Sequence, residues 1–525
     1  MFTKRHRLAA TAGIGLLAVA AAGCGGSSSS SEDGDLTTLS IAWADSPSPL
    51  NPAVTSSANT ANIVANIFDR LVWLTPDFEV TPWLATEWEV APDGLSYTFT
   101  LREDVTFHDG TPFNADAVVQ NIDYITDPAT KSTAAIQQLG TCTTATAESE
   151  FVLRLSCDEP YVPLLASLSS PYLGIQSPAA IAEHGAAMST EMAGTGPYEL
   201  ESATADESVV LKAYDKYDWA PEAAGFGEKG PERIEFKTAP NPQARVAALQ
   251  AGQVQAAQRI PGALFKSLRS GYDVVERDSP GLGFFSSINT SLFPTDDVAV
   301  RQAILYTVDR QAVVDLAESG AFEPSNTVLQ PGTFGYDESL ESQFPHDPDK
   351  AAELLEGAGW TRDGDAWTKD GKPLTLTIGT FSDVPQYVNI AEAIQAQLRD
   401  GGIAAEIELQ GRAAYLEAGD EGRNNLTPSS FAALDPVLLD QWFVSGAFFN
   451  WSKVADEQLD TLLEDAAATS DLEERKSLYL DAQKRILDLG LLLPVRPDQD
   501  LILMDKGVDG LVISGGGYLH FAGVS

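Results

Sequence analysis

The feature that most constrains the fold of this chain is the alternation of helix and strand patterns in its second half. Residues 300–316 carry apolar side chains at the spacing of one helical face, and residues 390–398 form a second helical pattern that stops at two glycines. Short apolar runs typical of strands lie at residues 374–378, 405–409 and 491–495. Strands that alternate with helices in this way predict an α/β fold, in which helices cover a sheet.

The first part of the chain is richer in strand patterns. Residues 88–90 and 97–101 have the composition of two strands, and the Pro-Asp-Gly sequence at residues 92–94 favours a turn between them. Aromatic and apolar residues alternate with polar ones over residues 97–101, which indicates that one face of this hairpin is buried. A β-rich region therefore precedes the α/β part of the chain.

The amino terminus has the composition of an export signal. Lys4, Arg5 and Arg7 precede an apolar run at residues 8–22, which is shorter than the roughly 20 residues that a membrane-spanning helix needs. The run ends in Ala-Ala-Gly-Cys at residues 21–24. This ending resembles the lipobox of bacterial lipoproteins, in which the cysteine carries lipid.

The residues after this cysteine support a lipid anchor. Gly25 to Ser31 form a polar, flexible tether of the kind that a membrane-held domain needs. The sequence thus predicts a signal peptide at residues 1–23, and a lipid anchor on Cys24 with its tether at residues 24–35. Ala21 stands where leucine is commoner, so an ordinary signal peptide with an incidental cysteine is the alternative.

Charge and the two other cysteines restrict the class of protein further. The net charge of −42 repels phosphate backbones, so we expect no nucleic-acid partner. The negative charge has two interpretations: it attracts a cationic solute, or it keeps the protein soluble and tolerant of salt. Cys142 and Cys157 flank a predicted hairpin and fall opposite each other if its turn centres on residues 149–150. In an oxidising compartment they are expected to form a structural disulfide.

No sequence pattern for catalysis or for a metal is found. The five histidines do not include a pair at the spacing of a metal site, and His108 lies in a predicted turn. The nucleophile patterns G-x-S-x-G and S-x-x-K are absent from the sequence. We therefore expect neither an enzyme nor a bound metal or cofactor.

One long segment and several short ones carry family-specific motifs. The long segment covers residues 82–113, from Pro-Trp-Leu-Ala-Thr-Glu-Trp-Glu-Val-Ala-Pro-Asp-Gly to Val-Thr-Phe-His-Asp-Gly-Thr-Pro-Phe. The short ones lie at residues 67–69, 194–198, 300–304, 309–310, 358–360, 395–398 and 402–403. Together they resemble the extracellular solute-binding proteins of the peptide/nickel type, family 5, over about residues 39–513.

The resemblance implies a two-lobed, periplasmic-binding-protein-like fold (type II, cluster C) with an extra β-rich domain. The implied parts are lobe I at residues 36–68, 189–283 and 495–525, the extra domain at residues 69–188, and lobe II at residues 284–494. Two chain crossings, near residues 283–289 and near Pro494, form the implied hinge. A ligand between such lobes gains contacts only as they close, and an importer would recognise the closed form.

The resemblance also implies where a ligand would bind. The expected ligand-binding residues are Asp45, Ser46, Phe284, Phe285, Asn289, Arg412, Tyr415, Phe431, Ala432, Ala433, Asp435 and Trp442, with core packing as the alternative role of Trp442. Peptide binders of this family hold the peptide's amino terminus with an aspartate four residues before the proline that is Pro436 here. That position is Ala432, so the usual clasp is absent, and a peptide's amino terminus would need another carboxylate, Asp435 or Asp45.

These observations predict the solute-binding component of an ABC importer. It is expected to capture a peptide-like or other small polar organic solute and to deliver it to the permease subunits. We expect a monomer at the outer face of the cytoplasmic membrane, attached through its lipid anchor only. A sensor lipoprotein without a transport role and an extracellular hydrolase are the alternatives, and the sequence does not identify the solute.

Overall fold

A computed structural model describes residues 36–47, 49–185, 191–227, 230–382 and 384–525. The predicted signal peptide, lipidated cysteine and tether lie outside the described residues. Within these ranges, no helix is both long enough and apolar enough to cross a membrane.

The strands belong to one large sheet and several small ones. In chain order they are β1 (Thr38–Trp43), β2 (Val72–Leu74), β3 (Val80–Pro82), β4 (Ala85–Val90), β5 (Ser96–Leu101), β6 (Thr144–Ser149), β7 (Val152–Ser156), β8 (Tyr198–Thr204), β9 (Ser208–Ala213), β10 (Arg233–Thr238), β11 (Ala256–Ala257), β12 (Asp273–Ile288), β13 (Thr361–Asp363), β14 (Ala366–Lys369), β15 (Lys372–Pro373), β16 (Thr375–Phe381), β17 (Ala404–Gln410), β18 (Leu426–Ala432), β19 (Leu492–Met504), β20 (Val512–Ile513) and β21 (Leu519–His520).

The helices cover these sheets. They are α1 (Ala58–Val64), α2 (Ala115–Thr126), α3 (Ala134–Leu139), α4 (Leu164–Ser167), α5 (Pro178–His184), α6 (Pro242–Gln250), α7 (Gly262–Leu268), α8 (Val298–Thr307), α9 (Arg310–Glu318), α10 (Pro348–Gly357), α11 (Pro385–Asp400), α12 (Arg412–Glu421), α13 (Leu438–Phe443), α14 (Glu457–Ala468) and α15 (Leu472–Asp488). The mixture of helices and a large sheet confirms the predicted α/β class.

The large sheet has ten strands in the order β17-β16-β18-β12-β19-β11-β1-β10-β9-β8. Its two central strands, β12 and β19, are long and antiparallel, and each takes part in both halves of the sheet. Their pairing is regular from Asp273 to Ser279 and again from Phe285 to Ser287, and it is irregular between Ser279 and Phe285. The two halves of the sheet are therefore joined by two neighbouring strands whose ladder is interrupted in the middle.

The β-rich region between β1 and β8 has its own four-stranded sheet, in the order β4-β5-β7-β6. Tyr97, Phe99 and Leu101 on β5 are 3%, 0% and 2% exposed, which confirms the buried face that their alternation predicts. In this structure Cys142 and Cys157 are joined in a disulfide beside the β6–β7 hairpin. These residues share a core with α2, α3 and α4.

The single helix predicted at residues 300–316 is wrong, because the chain breaks there into α8 and α9. Val308 has an extended backbone between them, and the Asp309 carboxylate accepts a hydrogen bond from the Ala312 amide, 3.2 Å away. An aspartate at this position satisfies an amide that has no partner inside the helix. The apolar spacing continues across the break, so periodicity alone does not reveal it.

Candidate functional site

The strand directions bring one edge of each half of the sheet to the same place. The strands β16, β17 and β18 run parallel to one another and antiparallel to β12, so their carboxyl ends point toward the half that contains β1. The strands β1, β10 and β11 run the opposite way, so their carboxyl ends point toward the half that contains β18. Open α/β sheets bind ligands at the carboxyl ends of their strands.

Both edges meet at β19. Beyond β11, the Arg259 amide donates to the Asp500 carboxylate, 2.9 Å away. Near the end of β18, the Ser430 hydroxyl donates to the Asp498 carboxylate, 3.0 Å away. Asp498 and Asp500 lie two positions apart in a regular stretch of β19, so they share one face of the strand. The candidate site is therefore the place where the two sets of strand ends approach the crossing strands.

The first edge carries Asp45 and Ser46, directly after β1. The Asp45 carboxylate lies 3.3 Å from the Arg259 guanidinium and also accepts a hydrogen bond from the Asn59 amide. The Asp45 side chain is still 54% exposed. The Ser46 hydroxyl accepts a hydrogen bond from the Asp206 amide. Both predicted residues thus lie at this edge, and both already have partners within the chain.

The crossing strands carry a buried cation. The Arg496 side chain is fully buried and lies 3.0 Å from a Glu318 carboxylate oxygen. Its guanidinium carbon lies 4.2 Å from the Phe284 ring centre and 4.1 Å from that of Phe322. A buried charge is tolerated when it is paired and lies against aromatic rings. Phe284 therefore supports Arg496 at the crossing.

Phe285, Trp442 and Phe431 belong to one aromatic cluster in the half of the sheet that contains β18. The Trp442 ring centre lies 5.1 Å from Phe285 and 5.7 Å from Phe431, and it stacks on Phe449 at 5.3 Å. Trp442 is 3% exposed. These contacts favour the core-packing role for Trp442.

Tyr415 and Arg412 lie on α12, which follows the end of β17. Tyr415 is buried, and its hydroxyl bonds to the Pro428 carbonyl and to the Ser429 hydroxyl. Burial raises the pKa of Tyr415 above its ordinary value. Arg412 is exposed and lies 6.0 Å from the Phe381 ring centre, at the end of β16. Arg412 is therefore the one of these two residues whose side chain could contact a ligand at the strand ends through its charge.

The structure does not place Asn289 at the crossing. It follows the far end of β12, and its amide group donates to the Gly422 carbonyl, 3.0 Å away. It is 1% exposed, and its amide oxygen accepts hydrogen bonds from Ser291. Asn289 therefore holds a loop in place at the far end of β12.

The end of β18 contains position 432, where the family resemblance implies an aspartate in peptide binders. Ala432 is exposed and pairs with Gly281 across β12, and the Ala433 amide donates to the Pro280 carbonyl. The Asp435 carboxylate is held by both terminal nitrogens of Arg475, at 2.8 and 2.6 Å. Asp435 is one of the two carboxylates that the sequence offers in place of the aspartate expected at position 432, and it is already paired with Arg475.

A second carboxylate lies close to this pair. Burial, and next the charge of Asp435, raise the pKa of Asp440 from 3.8 to about 7. The Arg475 charge opposes this shift in pKa. Within the described part of the chain, the Asp440 Oδ1 atom has no hydrogen-bond partner.

A cavity of about 660 Å³ lies between the β-rich region and the segments around Asp435 and Arg475. We refer to it as the apolar cavity. Its described lining residues come from both sides: Leu74, Phe78, Glu79, Val80, Trp88, Val90, Ala91, Pro92, Asp93, Gly94, Tyr97, Pro160, Tyr161, Val162, Pro163, Leu165 and Ala166 on one side, and Phe334, Leu434, Asp435, Ala468, Ser470, Leu472 and Arg475 on the other.

His108 lies away from both features. One ring nitrogen is 2.9 Å from the Gly196 carbonyl oxygen, and the other accepts a hydrogen bond from the Gly194 amide at 3.2 Å. Burial lowers the pKa of His108 below its ordinary value. The ring therefore fixes a turn, as expected. Among the residues that the structure describes, no group of three or more His, Cys, Asp or Glu side chains could hold a metal ion.

Sequence analysis missed several charged residues at the site, notably Arg259, Arg475, Arg496 and Asp498. The sequence around Arg496 and Asp498 does contain a pattern that could have identified them. Arg496, Asp498 and Asp500 occupy alternate positions of β19 between two apolar runs, and charges at such positions in a central strand point to a polar site. Arg259 and Arg475 lie on other elements, and nothing in the local sequence connects them to it.

The fold is that of a two-lobed solute-binding protein. Two neighbouring strands cross between the halves of its sheet, and the strand ends of the two halves face each other. The glutathione-binding protein GsiB of Escherichia coli strain K12 is 27% identical over 487 residues, which span 88% of this chain and 90% of that protein. The nickel-binding periplasmic protein of the same strain is 27% identical over 476 residues, covering 87% of this chain and 88% of that protein.

Solved structures give the same result. NikA from Brucella suis, in complex with Fe(III)-EDTA, matches with a TM-score of 0.82 at 25% identity and covers 93% of this chain and 99% of its own. DppA from Helicobacter pylori, in complex with the peptide STSA, matches with a TM-score of 0.70 at 25% identity, over 92% of this chain and 98% of its own.

The profile of the bacterial extracellular solute-binding proteins, family 5 Middle, matches residues 79–441. The chain belongs to the bacterial extracellular solute-binding proteins, family 5. It is accordingly a solute-binding component of an ABC importer, and its family acts outside the cytoplasm.

Proposed function

We propose that this protein binds a peptide-like or other small polar organic solute between its lobes and releases it unchanged to the permease. The observation that supports this proposal most directly is the meeting of both sets of strand ends at Asp498 and Asp500 on β19. Charged, hydroxyl and aromatic groups are combined there, and sites for polar organic molecules have this composition.

The proposed lobes follow the boundaries expected from the sequence. Lobe I comprises residues 36–68, 189–283 and 495–525, the extra domain residues 69–188, and lobe II residues 284–494. The interrupted pairing of β12 and β19 supports a hinge between residues 279 and 285 on β12 and next to Arg496 on β19.

The relatives differ in what they are named for or hold: one is named for nickel and one is in complex with Fe(III)-EDTA, whereas two others support a peptide-like solute. One is named for glutathione, and one is in complex with a peptide. Because position 432 is alanine and Asp435 is paired with Arg475, we propose that the solute is not held by a free amino terminus at that position. Asp498 is the proposed partner of any cationic group, since within the described ranges it has a hydroxyl partner and no ion pair.

The proposed setting of the protein is the outer face of the cytoplasmic membrane. A lipid on Cys24 and the tether after it would hold a monomer there once the signal peptide is removed. The disulfide between Cys142 and Cys157 suits that oxidising environment. Permease subunits are the proposed protein partners, and neither catalysis nor a cofactor is part of the proposal.

The experiment that tests the proposal begins with the protein purified from its own host. Mass spectrometry of the released small molecules identifies the retained solute, and calorimetry then measures its saturable binding. We expect the recovered solute to be chemically unchanged and its uptake to be lost when the gene is deleted. Conversion of the solute would indicate a hydrolase, and binding without any effect on uptake would indicate a sensor.

A further inference from the structure

We propose that the apolar cavity receives an uncharged aromatic or branched aliphatic group of the solute. This inference rests on the proposed function and narrows the solute to amphipathic molecules. A cavity of about 660 Å³ falls within the range of roughly 300–1,000 Å³ that small-molecule sites occupy.

The walls of the cavity have the chemistry that such a group needs. Trp88, Tyr97 and Tyr161 line it from the β-rich region, and Phe334 and Leu434 line it from the other side. Aromatic and aliphatic walls of this kind bind apolar groups by removing their surface from water.

The rim exposes apolar side chains on both sides. Val90 on β4 is 39% exposed, and Leu472, the first residue of α15, is 57% exposed. Large apolar side chains on opposite sides of one cavity gain burial when a guest lies between them. This pair of exposed residues therefore supports an apolar occupant.

The charged and hydroxyl groups in the walls already have partners within the chain. The two terminal nitrogens of Arg475 hold Asp435, and its third nitrogen donates to the Ala466 carbonyl at 3.1 Å. The hydroxyl of Tyr97 donates to the Tyr161 carbonyl at 2.9 Å. A charged guest would have to compete with these partners, whereas an apolar guest would leave every one of these bonds intact.

The remaining charged lining residues, Glu79 and Asp93, are exposed and lie at the rim. They would reject an anionic group rather than draw one in. The polar part of the solute would then point away from the apolar cavity.

The cavity can be tested with N-phenyl-1-naphthylamine, an uncharged aromatic probe whose fluorescence rises in apolar surroundings. The mature protein should bind this probe saturably at one site. Ala468→Trp fills the cavity from an exposed position, and Leu472→Asp removes an apolar rim residue at a helix start, where an acidic residue is tolerated. Each variant should weaken probe binding about tenfold or more. Ala247→Trp, at an exposed position on α6 outside the cavity, is the matched control and should bind as the parent does.

The solute itself provides the second readout. The molecule retained by the purified protein should contain an uncharged aromatic or branched aliphatic group, and it should be lost from Ala468→Trp but kept by Ala247→Trp. Probe binding that is not saturable, equal probe affinity in Ala468→Trp and the parent, or a retained solute without such a group overturns the inference. Probe binding that responds as expected, together with unchanged solute uptake after gene deletion, overturns the proposed function instead.

Discussion

At the scale of single residues, the site is governed by which carboxylates are already paired. Asp435 is held by Arg475 and Asp45 by Arg259, so either would have to share its carboxylate to replace the aspartate that is missing at position 432. Ala432 itself is exposed and free of side-chain constraints. We therefore expect one substitution at position 432 to supply the carboxylate that the family resemblance implies for peptide binders.

We expect Ala432→Asp to create affinity for peptides with a free amino terminus. A charge-assisted hydrogen bond to the ammonium should improve binding of alanyl-phenylalanine by about tenfold, or about 1.4 kcal/mol. Calorimetry with the parent and the variant measures this change. N-acetyl-alanyl-phenylalanine is the control, and an equal gain for the acetylated peptide would show that the carboxylate does not act on the amino terminus.

Asp440 should make the folded protein less stable as the pH rises. Its pKa in the folded protein is raised from 3.8 to about 7, so folding favours its protonated form. Its contribution to stability is complete below about pH 4 and is lost as the pH rises through about 7. Asp440→Asn keeps the shape and cannot ionise, so the variant should gain stability relative to the parent between pH 4 and pH 7.

The gain is at most about 4 kcal/mol from a shift of this size, and partial solvent exposure reduces it. Urea unfolding at pH 4, 5.5 and 7 measures the difference between the two proteins. The charges that surround Asp440 are Asp435, Glu464 and Arg475, and they are the same in both. A difference that stays constant across this pH range would rule out the raised pKa.

Much of the site could be predicted at this scale, and the reasons for the failures are physical. Asp45 lies just beyond the end of β1, and Phe431, which the family resemblance implies, lies near the end of β18. Asn289 instead donates to the Gly422 carbonyl, a contact between distant parts of the chain that no local pattern encodes. The pairing of Asp435 with Arg475 joins residues 40 positions apart, and no local pattern encodes that contact.

At the scale of elements, the crossing strands and the hairpin with the disulfide matter most. The irregular part of β12 contains Gly281 and Gly283, with φ of 126° and 61°. A Cβ atom on Gly283 would lie 2.6 Å from the Arg496 carbonyl oxygen, so only glycine fits there. Neither the irregular pairing of β12 nor the break between α8 and α9 changes the spacing of apolar residues, so the sequence pattern does not predict them.

The disulfide should stabilise the β6–β7 hairpin by restricting the unfolded chain. It closes a separation of 15 residues, for which a loss of about 3 kcal/mol is expected on removal. Replacing both Cys142 and Cys157 by serine should therefore lower the free energy of unfolding by about that amount, as measured by urea denaturation. The parent protein in excess reductant is the control. Unchanged stability in both samples would mean that the bond does not form.

At the scale of the whole molecule, the large negative charge sets the response to salt. Like charges repel one another in the compact state, and screening reaches about 10 Å at 0.1 M salt. With a net charge of −42, the protein is expected to become more stable as salt is added.

The melting temperature should rise as sodium chloride increases from about 10 mM to about 300 mM, because most of the repulsion is screened within that range. Differential scanning fluorimetry measures the change, and potassium chloride at equal ionic strength is the control for a specific ion effect. A melting temperature that stays flat or falls would show that repulsion between surface charges does not limit stability.

Hydrogen bonds connect the irregular part of β12 to residues 330–335 and, through them, to α15. The Gly281 amide donates to the Thr333 hydroxyl, and the Gly281 carbonyl accepts from the Gln330 amide. The same segment is fastened to α15, because Gln483 donates to the Gly335 carbonyl. We expect bending at the crossing to move residues 330–335 and, through Gln483, α15, whose residues Leu472 and Arg475 line the apolar cavity.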